Sequence, residues 1–165
     1  MLSARAPDDG MNDSADPYHL KRFLQAQDRV YDQALSEIRS GRKRSHWMWF
    51  VFPQFEGLGV STTSRLYAIK SVAEAEAYLA HPTLGPRLLE SVEAVLNVKE
   101  RSALDIFGSP DDMKLRSCAT LFASLLPARS VFEQLLTRCF DGQRDERTIR
   151  LMGRAASPAF GDSKE

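Results

Sequence analysis

The sequence predicts an all-α protein, a compact single-domain bundle of about six to eight helices. Apolar residues recur at steps of three and four along most of the chain, as they do on the buried face of a helix. Residue pairs that favour helix starts, such as Ser71 with Glu74, stand before several of these segments, and glycines or prolines follow them. We find no internal repeat and no succession of alternating apolar and polar stretches that would indicate a sheet.

The length and composition of the chain are those of one globular domain. Of its 165 residues, 43% are hydrophobic and 27% are charged, which is too apolar for a disordered chain. We expect the helical domain to span residues 16–153. The leader over residues 1–15 lacks the apolar core of a signal peptide, and the tail over residues 154–165 is rich in small residues. We predict that both are disordered.

The charge balance argues against several classes of protein. The 22 basic and 22 acidic residues cancel, whereas general nucleic-acid and membrane-surface binders usually carry a basic excess. No apolar run approaches the roughly 20 residues of a membrane span, so we predict a cytoplasmic protein. Cys118 and Cys139 lie in apolar segments and are expected to be reduced. Neither has neighbours at zinc-ligand spacing, and the sequence predicts neither a metal site nor a cofactor.

The first helix is predicted from Asp16, a good N-cap, to Gly41, a suitable C-terminal stop, with Pro17 at the first helical position. Its apolar face consists of Leu20, Phe23, Leu24, Val30, Tyr31, Ala34 and Ile38. Gln27 interrupts this face, where an apolar residue is expected. The later helices are predicted from Ser71 to His81, Pro82 to Leu96, Ser102 to Gly108, Ser109 to Pro127, Ser130 to Gly142 and Asp145 to Gly153.

The most unusual segment is the aromatic-basic block, residues 42–54, RKRSHWMWFVFPQ. Both tryptophans, two of the nine phenylalanines and one of the three histidines lie within seven of its residues. The apolar run over residues 47–52 is too short for periodicity to distinguish a strand from a helical turn, and Pro53 ends it. We expect Phe50 and Phe52 in the core. Trp47 is consistent both with the core and with a surface on which a planar ring stacks, while Trp49 is the weaker candidate for stacking.

No standard catalytic motif is present, so candidate roles rest on residue chemistry. In the site hypothesis Trp47 stacks on a planar ring, and Lys43 or Arg44 holds a phosphate. His46 or Asp112 handles a proton or stabilises an oxocarbenium-like centre. Two further residues, Gln54 and Lys114, orient the substrate. Each side chain also has a structural interpretation, since cations at a helix end and Asp112 in a first turn complement the helix dipole.

Four motifs, in this order, resemble the bacterial family called domain of unknown function 1810. They are SHWMWFVFPQFEGLGVS (45–61), EAEAYLAHPTLGPRLLE (74–90), IFGSPDDMKLRSCATLF (106–122) and FDGQRDERTI (140–149). The resemblance covers roughly residues 16–152 and implies a compact helical fold in which the aromatic-basic block is helical or irregular. It implies no reaction. Members are sometimes labelled calpastatin, and nothing in this sequence supports that label.

A fainter resemblance links Lys114, Thr120 and the following Leu-Phe, and residues 132–137 to the second half of the NADAR proteins. Those are helical N-glycosidases connected with NAD and ADP-ribose chemistry. This sequence has no clear equivalent of their acidic and tryptophan-glycine motif near the C-terminus, so no catalytic residue is carried over.

Two hypotheses follow. The first is a glycosidase-class enzyme acting on a ribosylated, nucleotide-like compound. The second is a non-catalytic module that binds a nucleotide-like molecule or a protein partner through the aromatic-basic block. The first requires a pocket shared by the block and the predicted helix around residues 111–120, with at least two perturbed titratable groups at its aromatic wall. A protein-binding module requires a contiguous exposed apolar patch instead.

Overall fold

The computed structural model describes residues 15–156 and confirms the all-α class. Its helices are α1 Lys21–Arg39, α2 Met48–Val51, α3 Thr62–Leu66, α4 Val72–Ala80, α5 Leu84–Asn97, α6 Ala103–Phe107, α7 Asp111–Ala123, α8 Val131–Phe140 and α9 Glu146–Ala156. The described residues thus contain nine helices rather than six to eight. The difference arises from the short helices α2 and α3, which span about one turn each and leave little periodic signal.

The predicted caps fix several of the helix bounds. Ser102 and Asp105 form a reciprocal capping box at α6, and the hydroxyl of Ser130 accepts the Glu133 N–H at α8. Gly41 follows α1 with a φ of +87°, a left-handed conformation that glycine adopts without strain. Helix α1 begins later than predicted, although the Asp16 carboxylate still accepts the N–H groups of residues 20 and 21.

The last helix continues to Ala156, three residues beyond the predicted end at Gly153. The predicted disorder of residues 1–15 and 154–165 concerns mainly residues 1–14 and 157–165, which lie outside the described residues.

The core is built around α5 and α7. Helix α5 packs against α1, α4 and α8, and α7 packs against α6, α8 and α9. The largest side chains in this core are Trp47, Tyr78, Phe23, Phe52, Phe122 and Phe132. Burying a Phe-sized side chain contributes roughly 1.5–3 kcal/mol, so this aromatic core is a main source of stability. Close packing also explains Gly85, because a Cβ there would lie 2.1 Å from the carbonyl oxygen of Leu79 at the end of α4.

Gln27, the residue that interrupts the apolar face of α1, is buried and hydrogen-bonded. Its amide nitrogen donates to the carbonyl oxygen of Phe50 (2.8 Å) and to the Tyr78 hydroxyl (3.1 Å). Its amide oxygen accepts from the guanidinium of Arg87 at 3.2 Å. Because a buried polar group is tolerated when its hydrogen bonds are made, Gln27 joins α1 to α2, α4 and α5.

Cys118 and Cys139 are free thiols, as predicted, and burial raises the pKa of both. Among the described residues, no helix is both long and apolar enough to cross a membrane.

Candidate functional site

A cleft of about 420 Å³ lies between the aromatic-basic block and the first turn of α7. Its walls consist of Lys43, His46, Trp47, Met48, Trp49, Phe50, Thr63, Asp111 and Lys114. The block and the helix around residues 111–120 therefore share a pocket, which is one of the two requirements of the enzyme hypothesis. It forms because α2 packs against α1 and α5, while a backbone hydrogen bond from Lys43 N–H to the Ile106 carbonyl (2.7 Å) holds the block against α6.

Asp111 bridges two lysines in this cleft. Its carboxylate oxygens lie 2.8 Å from the Lys43 ammonium and 3.0 Å from the Lys114 ammonium. Burial would raise the pKa of Asp111, but the hydrogen bonds from Lys43 and Lys114 outweigh it and lower the pKa below its usual value. Asp111 is therefore ionised at neutral pH.

Each of the two lysines lies over a tryptophan ring. The Lys43 ammonium is 5.0 Å from the centre of the Trp47 ring, and the Lys114 ammonium is 5.0 Å from that of Trp49. Such cation–π contacts hold an ammonium group in place. The Lys114 side chain is 26% exposed, whereas that of Lys43 is 9% exposed. Lys114 is therefore the more accessible cation.

Trp47 lies in the wall of the cleft but belongs to the core, because only 1% of it is exposed. Its ring contacts Phe52 and Phe107, with ring centres 6.2 Å away in both cases. Its indole N–H donates to the Glu37 carboxylate at 2.8 Å. A ligand ring therefore has no exposed face of Trp47 to stack on. Half-buried Trp49 provides the accessible aromatic surface instead, which reverses the order that the sequence suggested.

Behind Trp47, Glu37 receives five hydrogen bonds. They come from the N–H groups of Arg44 (2.8 Å) and Ser45 (3.0 Å), the Ser45 hydroxyl (2.6 Å), the Trp47 indole (2.8 Å) and the Gln33 amide (3.1 Å). Burial would raise the pKa of Glu37, but these hydrogen bonds, chiefly that of the Ser45 hydroxyl, lower it to about 2. No sequence pattern indicated these contacts, because Glu37 lies beside the apolar face of α1 and its donors follow a turn.

The other predicted site residues divide between the cleft and its surroundings. His46 is exposed at the cleft, whereas the exposed Arg44 side chain does not line it. Gln54 is buried, 2% exposed, and also lies outside the lining, in the chain that follows α2.

Asp112 does not line the cleft, and the neighbouring Asp111 does. The reason is helical geometry. Residues three apart, such as Asp111 and Lys114, share a face, whereas Asp112 lies about 100° further round the helix. Had this spacing been applied to Lys114, the sequence would have indicated Asp111 rather than Asp112.

A larger groove of about 690 Å³ lies at the start of α1. Its buried charges, Arg22 and Glu74, are already paired with each other at 2.7 Å, and the remaining guanidinium donors bind backbone carbonyls. The buried charges of this groove therefore stabilise the packing of α1 against α4 and the loop before it. Within residues 15–156, no group of three or more His, Cys, Asp or Glu side chains could hold a metal ion.

The fold and the cleft define a small helical protein whose aromatic and cationic side chains surround a ligand-sized cavity. The sequence model of the family described as protein of unknown function (DUF1810) matches residues 17–152, and the chain belongs to this family.

The structure is similar to the crystal structure of the conserved hypothetical protein Rv1873 from Mycobacterium tuberculosis. The two share 51% sequence identity over 84% of this chain and 99% of that chain, with a TM-score of 0.82. A comparison with curated proteins finds no match. These findings confirm the first family resemblance and do not show the one to NADAR proteins.

Proposed function

We propose that the cleft binds a small anionic ligand that carries a planar ring, of the nucleotide-like class. The observation that supports this most directly is the convergence of Lys43, Lys114 and half-buried Trp49 around the Asp111 carboxylate. The volume of about 420 Å³ lies within the range of small-molecule pockets. The cleft is also lined by aromatic rings together with a few polar groups, as such pockets usually are.

The charge of the cleft favours an anion. Two lysines and one carboxylate leave a net positive charge, although the whole chain is neutral. Lys114 is the more exposed lysine and has further N–H donors beyond the one it gives to Asp111. A phosphate or carboxylate group would therefore bind at Lys114, with His46 at the cleft as a second polar contact.

Trp49 provides the contact for the planar ring. Stacking of a base on an aromatic side chain contributes about 1–3 kcal/mol, and it tolerates different bases because every base has a π-face. Within the described residues, the large apolar side chains that are exposed lie in different helices and loops: Val60, Leu66, Leu89, Leu104, Met113 and Ile149. The cleft is therefore the better-supported binding surface, and a protein-docking role is the weaker alternative.

We predict that Trp49→Ala and Lys114→Met each weaken ligand binding about tenfold or more, because they remove the stacking surface and the accessible cation. Thermal stabilisation should be measured with NAD, ADP-ribose, AMP and inorganic phosphate, since a ligand at a hundred times its Kd adds about 2.7 kcal/mol. Arg65→Met, which removes an exposed cation outside the cleft, is the matched control for Lys114→Met. If no compound stabilises the wild type, or if both cleft variants respond as it does, the proposal is wrong.

A second candidate is the cleavage of an N-glycosidic bond in such a ligand. The ionised Asp111 carboxylate and His46, which both line the cleft, favour it. A carboxylate in this position would stabilise the oxocarbenium-like centre as the C–N bond breaks. Water then adds to the sugar carbon and releases a proton to solvent. An adenine base takes up a proton from His46 or solvent as it leaves, whereas nicotinamide leaves NAD as a neutral molecule without one.

For this reaction we predict that Asp111→Asn lowers turnover of NAD or ADP-ribose by about 100-fold or more, measured as release of the free base. Asp112→Asn is the control, because the sequence suggested Asp112 but its side chain does not line the cleft. This variant should leave turnover close to that of the wild type. Binding without base release by the wild type would restrict the protein to the binding function.

A further inference from the structure

Glu37 connects α1 to the aromatic-basic block through uncharged donors. Four of its five hydrogen bonds come from residues 44–47, and two of these are successive backbone N–H groups, those of Arg44 and Ser45. Two successive N–H groups fix the path of the chain, while the indole N–H fixes the orientation of the Trp47 ring. Because Glu37 is 5% exposed and lies on a 19-residue helix, it is a rigid point of attachment.

From Trp47 a continuous series of contacts leads to the cleft. The Trp47 ring packs under the Lys43 ammonium at 5.0 Å, and Lys43 binds Asp111 at 2.8 Å. Asp111 in turn binds Lys114 at 3.0 Å, and Lys114 lies 5.0 Å from the ring centre of Trp49. Lys43, Asp111 and Lys114 are therefore all linked to the buried Glu37 carboxylate through this series of contacts.

The other end of the block is also attached to α1. Gln27 donates to the carbonyl oxygen of Phe50 at 2.8 Å, and Phe50 lines the cleft. Two buried polar side chains of one helix thus hold the segment that carries His46, Trp47 and Trp49. Neither of them, Glu37 or Gln27, lines the cleft.

We infer that Glu37 is a positioning residue for the cleft: it holds Trp47 and the preceding turn so that Lys43 meets Asp111. This inference rests on the proposed function only in that the cleft is taken to bind a ligand. A positioning role and a purely local role of Glu37 predict different effects at Trp49. If Glu37 merely stabilised its own turn, a change at residue 37 would be felt at Trp47 but not at Trp49.

The two tryptophans of the chain give a test that needs no ligand. Their indole N–H groups produce two cross-peaks in a ¹⁵N-correlated NMR spectrum, which Trp47→Phe and Trp49→Phe assign. Glu37→Gln keeps the shape of the side chain and an oxygen that can accept the same N–H groups, but it removes the charge. We expect both indole peaks to move in Glu37→Gln.

The matched control is Glu74→Gln, because Glu74 is another buried carboxylate (3% exposed) that does not line the cleft. It should leave the Trp49 peak in place. A Trp49 peak that stays fixed in Glu37→Gln would contradict the inference. If Glu37→Gln does not fold, Ser45→Ala removes the shortest hydrogen bond to Glu37 (2.6 Å) and should move the Trp49 peak from its wild-type position. A Trp49 peak that stays fixed in Ser45→Ala would then contradict the inference.

Binding gives a second readout. With ADP-ribose as the probe, affinity should fall about tenfold in Glu37→Gln and remain near the wild-type value in Glu74→Gln, at a temperature at which all three proteins are folded. Equal losses in the two variants would show that Glu37 acts on stability alone. If the wild type binds no ADP-ribose, the proposed ligand is wrong, whereas the Trp49 peak still decides whether Glu37 positions the cleft.

Discussion

Glu37→Gln should lower the free energy of unfolding by about 3 kcal/mol more at pH 7 than at pH 2. The pKa of Glu37 is about 2 in the folded protein, compared with 4.5 for an ordinary glutamate. A carboxylate whose pKa is lowered by folding contributes stability above its unfolded value, and this contribution is lost as the pH falls through the folded value. The stabilisation is therefore complete above pH 5 and disappears between pH 5 and pH 2.

Urea unfolding of the wild type and the variant, followed by circular dichroism at several pH values, measures this difference. Other carboxylates titrate in the same range, but they do so in both proteins, so the difference between the two curves isolates Glu37. A difference that stays constant with pH would mean that the Glu37 carboxylate gains nothing from its five donors. Glu37→Leu should cost more than Glu37→Gln, because it leaves the buried indole N–H of Trp47 and the partly buried N–H groups of Arg44 and Ser45 without their acceptor.

The helices with clear punctuation could be predicted from the sequence, because their signals are local. Ser102 with Asp105 and Gly41 act within a few residues of the helix ends they define. Helix α3 was missed. Its N-cap, Ser61, is followed by TTSRL, which is short and shows little apolar periodicity. The parallel bridge between Phe55 and Ile69 could not be predicted either, since it depends on how two loops pack.

The sequence predicts the segment that forms the cleft better than it predicts which side chains of that segment are accessible. An unusual density of aromatic and basic residues pointed to the segment that forms one wall of the cleft, and Lys43, His46 and Lys114 all line the cleft. Whether Trp47 or Trp49 faces solvent depends on the tertiary structure. The turn after α1 directs Trp47 into the core and leaves Trp49 accessible, and neither outcome follows from composition.

The burial and the partners of Glu37 could not be predicted from the sequence for a related reason, and Gln27 showed only as a polar residue on the apolar face of α1. A polar residue within an amphipathic helix is usually solvated, and periodicity alone classifies it so. Glu37 is buried because most of its donors belong to the segment that returns along α1 after Gly41. Gln27 is buried because it binds Phe50 of that segment together with Tyr78 and Arg87. Such a pairing becomes visible only once the path of the aromatic-basic block is known.

Arg22→Met should lower the free energy of unfolding by about 3–5 kcal/mol, the usual cost of removing one partner from a buried ion pair. Arg22 is 7% exposed and uses all of its side-chain N–H donors. It binds the Glu74 carboxylate at 2.7 Å and the carbonyl oxygens of Tyr18, His19, Leu66 and Ala68 at 2.8–2.9 Å. The substitution leaves Glu74 buried without its cation and releases the turn between α3 and α4. Urea unfolding at pH 7 measures the loss.

Three further variants test how charge and geometry contribute to the ion pair between Arg22 and Glu74. Arg22→Lys keeps the charge but has three donors on a single nitrogen, so it cannot reach acceptors on three sides and should still lose much of the stability. Arg65→Met removes an exposed cation of the same groove and should change stability by less than about 0.5 kcal/mol. Combining Arg22→Met with Glu74→Leu removes both charges, and it should be more stable than Arg22→Met alone because no unpaired carboxylate stays buried. If Arg22→Met costs no more than Arg65→Met, the ion pair does not hold the start of α1 against α4.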